Sequence, residues 1–554
     1  MSLYTKAKYI PAAMFLLTTA WTHNGWSQQR TQRGTDTVIR TQEFNVYQIY
    51  VPEVQKKTKE RLVPDAPRFD TINPVYQYEV PEQKLTYTYQ AVPIRPLALG
   101  LDNQQPNFEN YIKAGMGNYS SFLLDAGISA LQTEKFQSVL HGRHLSQKGG
   151  IANRQSSLSE FSGVGYYQLD HHDLEGNVQF TRRGTSYYGM NQTTYPYPAL
   201  DSVRQVYWGI RGQVAMENSN GSRFFYKPRL GASYYADRWT ASETGLDLSI
   251  PLSYQLDSTL KIGLDLNGNF YSYVVNHTAV GNHLVSARPY VDISVLKSDL
   301  HIGIRPSLGM DNRFYLLPDI TLRVPLITNS LTLNGGFKGE VIQNTFEQLS
   351  SKNPFMYNNY LVQQSRQLKV FGGFDSKLGK YMSMGGSLAW NQWNNLPVFI
   401  NDYSRTPDGR YFRIAYEGKV QALTFDGYFK YQVNETFGIT GSGAWTSFTY
   451  KETMNKIYHE PQLKLAGEVF TRPVKGLYLA ARLEYWDRIF YLTETGATER
   501  LLPITDLSLQ GEYQIIPRLS LFLQLNNILN KQYERFNLYN VYGFNIIGGL
   551  RFKF

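Results

Sequence analysis

From about Phe108 to its last residue, this chain alternates apolar and polar residues in stretches of about ten or more. Leu260, Ile262, Leu264, Leu266 and Phe270 fall on one side of such a stretch. Lys261, Gly263, Asp265, Asn267 and Asn269 fall on the other. The pattern returns in Leu331, Leu333, Gly335, Phe337 and Val341, and in Leu477, Leu479, Ala481, Leu483 and Tyr485. It returns again in Leu519, Leu521, Leu523 and Leu525. Successive side chains of a strand point to opposite faces, so each stretch is a strand with one greasy and one polar face. A soluble sandwich alternates too. Here, however, Lys261, Asp265 and Lys338 place charge in mid-strand, as a water-filled lumen allows. The final stretch places Tyr542, Phe544, Ile546, Gly548, Leu550, Phe552 and Phe554 on one face and ends on that phenylalanine. These features predict an all-β fold, a transmembrane antiparallel barrel facing lipid outside and water inside.

Composition agrees. Mean hydropathy is −0.38, and after the N-terminus no apolar run reaches the roughly 20 residues a membrane helix needs. The 42 tyrosines, 30 phenylalanines and 45 glycines fit strands with only every second residue in lipid. The net charge of +10 comes from lysines and arginines scattered singly, without the basic cluster of a nucleic-acid groove. The absence of cysteine excludes disulfides, thiolate metal sites and a cysteine nucleophile.

The first 27 residues read as an export signal. Lys6 and Lys8 precede an apolar core from Pro11 to Trp21, and Gly25-Trp26-Ser27 supplies the small-residue pattern before Gln28. Residues 28–107 carry Pro52, Pro64, Pro67, Pro74, Pro81, Pro93, Pro96 and Pro106, which forbid a helix and predict an extended arm in the lumen or periplasm. Within it Asp36, Thr37, Val38 and Ile39 form a short stretch suited to pairing with a partner by strand addition.

Polar turns are predicted near Thr133-Glu134, His172-Asp173, Asn220-Gly221, Asp257-Ser258, Ser298-Asp299, Thr328-Asn329, Gly379-Lys380, Asn434-Glu435, Val474-Lys475 and Ile516-Pro517. They recur about every 43 residues, which suits two barrel strands and one longer loop. Ten such turns on the periplasmic side predict a barrel of about 22 strands over residues 108–554. A bore that wide cannot be filled by wall side chains. The arm, inward-folded loops or another protein must occupy it.

The segment Asn526-Asn527-Ile528-Leu529-Asn530-Lys531-Gln532-Tyr533, then Tyr542-Gly543 and the terminal Gly548-Gly549-Leu550-Arg551-Phe552-Lys553-Phe554, resembles the last two strands of TonB-dependent receptor barrels. That resemblance implies a 22-stranded outer-membrane barrel of a Gram-negative bacterium, engaged by TonB from the periplasm. It also implies a globular plug of over a hundred residues, which segment 28–107 is too short and too poor in glycine to resemble. A plugless, receptor-like barrel of the kind found in Bacteroidetes-like outer membranes is the implied variant. By the same resemblance, Asp36–Ile39 looks like a TonB box, and Tyr542, Leu550, Phe552 and Phe554 look like the signal read by the barrel-assembly machinery.

For ligand contact, the sequence offers Tyr187, Tyr188, Tyr195 and Tyr197 in one Tyr-rich connection and Trp390 and Trp393 in an aromatic–amide cluster. Such groups stack on and hydrogen-bond external ligands, although an aromatic girdle at the membrane interface uses the same residues. No enzyme, cofactor or metal site is predicted. His141 and His144 are three apart and fall on opposite faces of a strand, and Asp265 and Glu340 have no partner legible in sequence. Two functions follow. One is a receptor-like barrel taking part in uptake or binding of an external ligand. The other is a non-transporting barrel that scaffolds outer-membrane or periplasmic partner proteins. The basic balance favours contact with anionic lipopolysaccharide or an anionic cargo.

Overall fold

The computed structural model describes residues 110–554, apart from 192–193, 219–220 and 359–361. The export-signal segment, the Pro-rich arm, Asp36–Ile39 and Asn220 lie outside the described residues. The wall of the described chain is one antiparallel sheet rolled shut. Its first strand, Tyr111–Gly117, pairs on one side with Ser121–Gln132 and on the other with the last strand, Asn545–Lys553. Residues 224–226 and Arg229–Asp237 edge the same neighbour, Ser242–Gln255, and make one strand interrupted at Lys227-Pro228. Proline has no N–H to give the ladder. Counted so, the closed wall has 22 strands.

Period-two patterning sets which way each strand faces. Ile262, Leu266, Phe270, Leu333, Phe337, Leu479, Leu483, Leu521, Leu523, Leu550 and Phe552 are all exposed on the outer wall, the face a bilayer covers. The inner wall is charged. Arg288 bonds Asp265 on the facing strand and Asp319 at 3.0 Å two strands away, while Asp292 binds Lys261 at 2.8 Å and His301 at 2.5 Å. The partners that Asp265 and Glu340 lack in sequence thus come from other strands, Arg288 on the adjacent strand for the first and Arg305 at 4.0 Å, two strands away, for the second.

At one end the strands are joined by tight turns and at the other by loops of up to twenty residues, 344–363 being the longest. Barrels of this type keep short turns on the periplasmic side and long loops outside. Two turns sit earlier than the sequence predicts. Ser298 pairs with Val295, so the turn is Leu296-Lys297, with φ of 52° and 68°. His172 pairs with Asn218, so the turn is 169–171. In both places polar residues open a strand, and polarity alone cannot tell a strand's first residue from its turn. The last strand begins at Asn545, so Tyr542 belongs to a loop and does not share the outward face of Leu550, Phe552 and Phe554.

Candidate functional site

The wall strands Met382–Asn401 and Phe412–Val433, of 20 and 22 residues, are far longer than the roughly 9–11 residues that cross a bilayer. Their loop-side ends rise past the membrane. There, inward residues of several strands and the loops between them meet in one apolar core. It comprises Tyr188, Tyr207, Tyr235, Tyr273, Phe346, Leu349, Met356, Phe399, Phe412, Phe536 and Tyr539, among others. Phe346, Phe412, Met356 and Tyr273 are fully buried. These residues come from opposite parts of the wall, so the core reaches across the mouth.

Two loops build most of it. Loop 344–363 carries the helix Phe346–Lys352, whose N-cap Thr345 accepts a hydrogen bond from the Gln348 amide at 3.2 Å. The Glu243 carboxylate accepts from the Phe346 and Glu347 amides at 2.8 and 3.4 Å, meeting the donors that a helix start leaves unpaired. Arg211 holds Glu347 at 2.5 Å, and Phe346 packs among the rings of Tyr207, Tyr235 and Tyr273 at 5.2 to 6.0 Å. Farther along, the amides of Tyr357 and Phe412 exchange bonds with the carbonyls of Phe412 and Phe355. The loop is therefore docked to the wall by backbone as well as side chains.

Loop 527–544 meets it from the other side. Tyr539 stacks on Phe355 with centroids 3.6 Å apart, and Phe536 sits edge-on to Phe412 at 5.5 Å. The base of this loop explains the motif that begins it. Asn527 donates to the carbonyls of Lys531 and Tyr542, and Asn530 accepts from the Phe544 amide at 2.8 Å. Tyr533 donates to Asp506 at 2.6 Å. Asn527 and Asn530 adopt left-handed backbone, which asparagine tolerates better than other side chains.

The predicted loop aromatics are divided. Tyr187 and Tyr188 are buried, donating to the carbonyls of Met356 at 3.1 Å and Asn540 at 2.9 Å, so they staple loops together. Tyr197 is exposed and Tyr195 half-buried. Trp390 and Trp393 lie in the strand Met382–Asn401 and not in a loop. Trp390 is on the exposed outer wall beside Leu388, whereas Trp393 packs toward Val398, Val420 and Ile457. Tyr542 packs under the Arg154 guanidinium at 4.2 Å and against Tyr119. Phe346, Phe412, Phe536 and Tyr539 were not legible as a site. The Thr345-x-x-Gln348 capping pattern was the one signal for the helix.

One histidine packs into this core. His459, in loop 452–462, donates to the Phe399 carbonyl at 2.9 Å, while its other nitrogen accepts from the Asn537 amide. Burial pushes its pKa from 6.5 down to about 3. The opened loops therefore bind a proton below about pH 6.5 that the closed ones refuse until about pH 3. The share of closure that His459 supplies should weaken as pH falls through that window, by at most about 1.4 kcal/mol per unit. Burial holds the Glu534 carboxyl of the same loop above its ordinary range, which acts in the opposite direction, so the comparison is between proteins: from pH 7.5 to pH 5, amide exchange in 527–544, corrected for intrinsic rate, should accelerate more in the unmodified protein than in His459→Gln. The same pH dependence in both proteins would refute it.

No protein-family model matches this chain, and no curated protein matches its sequence. Solved structures do. The chain is similar to the ferripyoverdine receptor of the outer membrane of Pseudomonas aeruginosa, with a TM-score of 0.60, 12% identity, and coverage of 81% of this chain and 72% of that one. It is similar to the siderophore receptor PirA from Acinetobacter baumannii, with a TM-score of 0.62, 10% identity and 80% of each chain covered. It is also similar to a mutant of the ferric enterobactin receptor PfeA from Pseudomonas aeruginosa, with a TM-score of 0.59, 12% identity, and 80% and 81% covered. At these identities the likeness establishes the barrel fold.

Proposed function

We propose that this protein is an outer-membrane, TonB-dependent receptor-like barrel of a Gram-negative bacterium that binds an external ligand at its loops and takes part in its uptake. The observation that carries this is the aromatic core in which loops 344–363 and 527–544 meet across the mouth. Below it the wall is lined with charge, so a route for polar solutes lies beneath a closure made of movable loops. The shared fold with outer-membrane siderophore receptors supports the same reading. In it, Tyr195 and Tyr197 are the loop aromatics free to meet a ligand, Leu550, Phe552 and Phe554 serve recognition by the barrel-assembly machinery, and Asp36–Ile39 pairs with TonB by strand addition. The protein is not an enzyme in this account.

The test is deletion of Asp36–Ile39. The shortened chain should reach the outer membrane at normal levels yet fail to restore growth to a strain that lacks the protein and depends on it. Full complementation would overturn energised uptake and leave the non-transporting scaffold.

A further inference from the structure

The outer wall has a dent where a lipid-facing barrel is ordinarily bulky. Across the strands from 136 to 255 lies an apolar groove of about 600 Å³, bordered by Leu140, Val178, Val214, Leu230 and Leu246 and floored by glycines. That volume falls in the range of small-molecule sites. The border residues are exposed on the outer face. Gly163, Gly176 and Gly212 share that face, since Gly163 lies directly opposite Leu140 and Val178, Gly176 opposite Val214, and Gly212 opposite Val178. Glycine weakens a strand and leaves nothing to pack, so several together on the lipid side are costly unless something fills the space. The space is open. A Cβ at Gly176 would meet nothing within 4 Å, and one at Gly212 just the Asn177 carbonyl oxygen at 3.9 Å.

Toward the loop end the same face becomes polar. His144, Ser159, Arg182 and Trp208 follow one another across four strands in register, with His144 bonded to Ser159 at 2.8 Å. Trp208 and Tyr234, with rings 5.3 Å apart, mark the interfacial aromatic level. Arg182 makes no hydrogen bond or ion pair among the described residues. It stands four residues up the strand from Val178, about 13 Å at the usual strand rise.

We propose that this groove binds one lipid with an anionic phosphate headgroup from the leaflet on the loop side. Its acyl chain lies over Gly176 and Gly212, and its phosphate meets Arg182. The cation at headgroup level, with an acyl-width hollow directly below it in the hydrocarbon layer, selects a lipid over a second protein. The proposal rests on the outer-membrane reading, and the test separates the two.

The full chain, purified in detergent, is exposed to phosphatidylglycerol or to phosphatidylcholine with the same acyl chains, and retained lipid is counted by native mass spectrometry. One phosphatidylglycerol should remain bound in preference to phosphatidylcholine. Gly176→Leu and Gly212→Leu, both with room for the side chain, should each weaken retention of either lipid about tenfold. Arg182→Gln should keep retention but abolish the preference. Equal retention by the parent and groove-filled proteins would overturn the proposal, as would a dimer that Gly212→Leu dissociates, since a second copy would then fill the groove. Failure of the parent chain to give a folded, heat-modifiable barrel in bilayers would instead sink the membrane reading.

Discussion

Replacing Phe412 with alanine should loosen the mouth and leave the wall intact. Phe412 is fully buried, with His459, Phe536 and Tyr539 around its ring at 5.1 to 5.9 Å. Removing a buried phenyl ring typically costs about 3–5 kcal/mol. The wall is held by backbone ladders that this side chain does not enter, from Met382–Asn401 on one side and Phe437–Lys451 on the other. The loss therefore falls on the loops. It shifts their closed-to-open ratio by a factor of about one hundred or more. Arg410 in the connection 402–411 and Lys531 and Arg535 in loop 527–544 are trypsin sites, and cleavage there should accelerate while the barrel remains heat-modifiable on gels. Phe412→Leu, which keeps most of the volume, should recover much of the protection. Unchanged cleavage in Phe412→Ala would show that the loops are held by something other than this core.

The wall was legible in sequence because its physics is periodic. Each strand repeats the same two-residue choice between lipid and water, and most of the tight turns between strands are polar, so the faces, the strand number and the closure could be read before any contact was known. The mouth is not periodic. Tyr207 and Tyr273 sit at the loop-side ends of strands and continue the alternation, Phe399 lies in the short apolar run Val398-Phe399-Ile400, and nothing local says that a strand end has left the membrane and joined a core. Phe536 and Tyr539 lie in a loop rich in asparagine, where polarity hides two buried rings. Trp390-Asn391-Gln392-Trp393-Asn394-Asn395 misled in the opposite direction. Its amides look like a loop, but they line a strand whose one irregularity is Asn395, in left-handed backbone between the pairs Asn394–Lys419 and Leu396–Glu417. The motif from Asn526 to Tyr533 pointed to the right place through resemblance, and its reason became visible in the hydrogen bonds of Asn527, Asn530 and Tyr533.

The loop core also bears on what fills the bore. A 22-stranded bore is too wide for wall side chains to close, and the sequence left three occupants open. If loops 344–363 and 527–544 close it, no occupant is needed to stop leakage, and the arm is free to act from the periplasmic side. The expected effect is large, since an open bore of this width is an aqueous pore and a closed one is not.

The most direct measurement is therefore single-channel conductance in a planar bilayer of the chain lacking residues 28–106, beside the full-length chain. The account predicts that both remain closed, because the core around Phe346, Phe412 and Tyr539 seals the mouth without the arm. A steady, wide conductance in the shortened chain, absent from the full-length one, would contradict it and make the arm the occupant of the lumen.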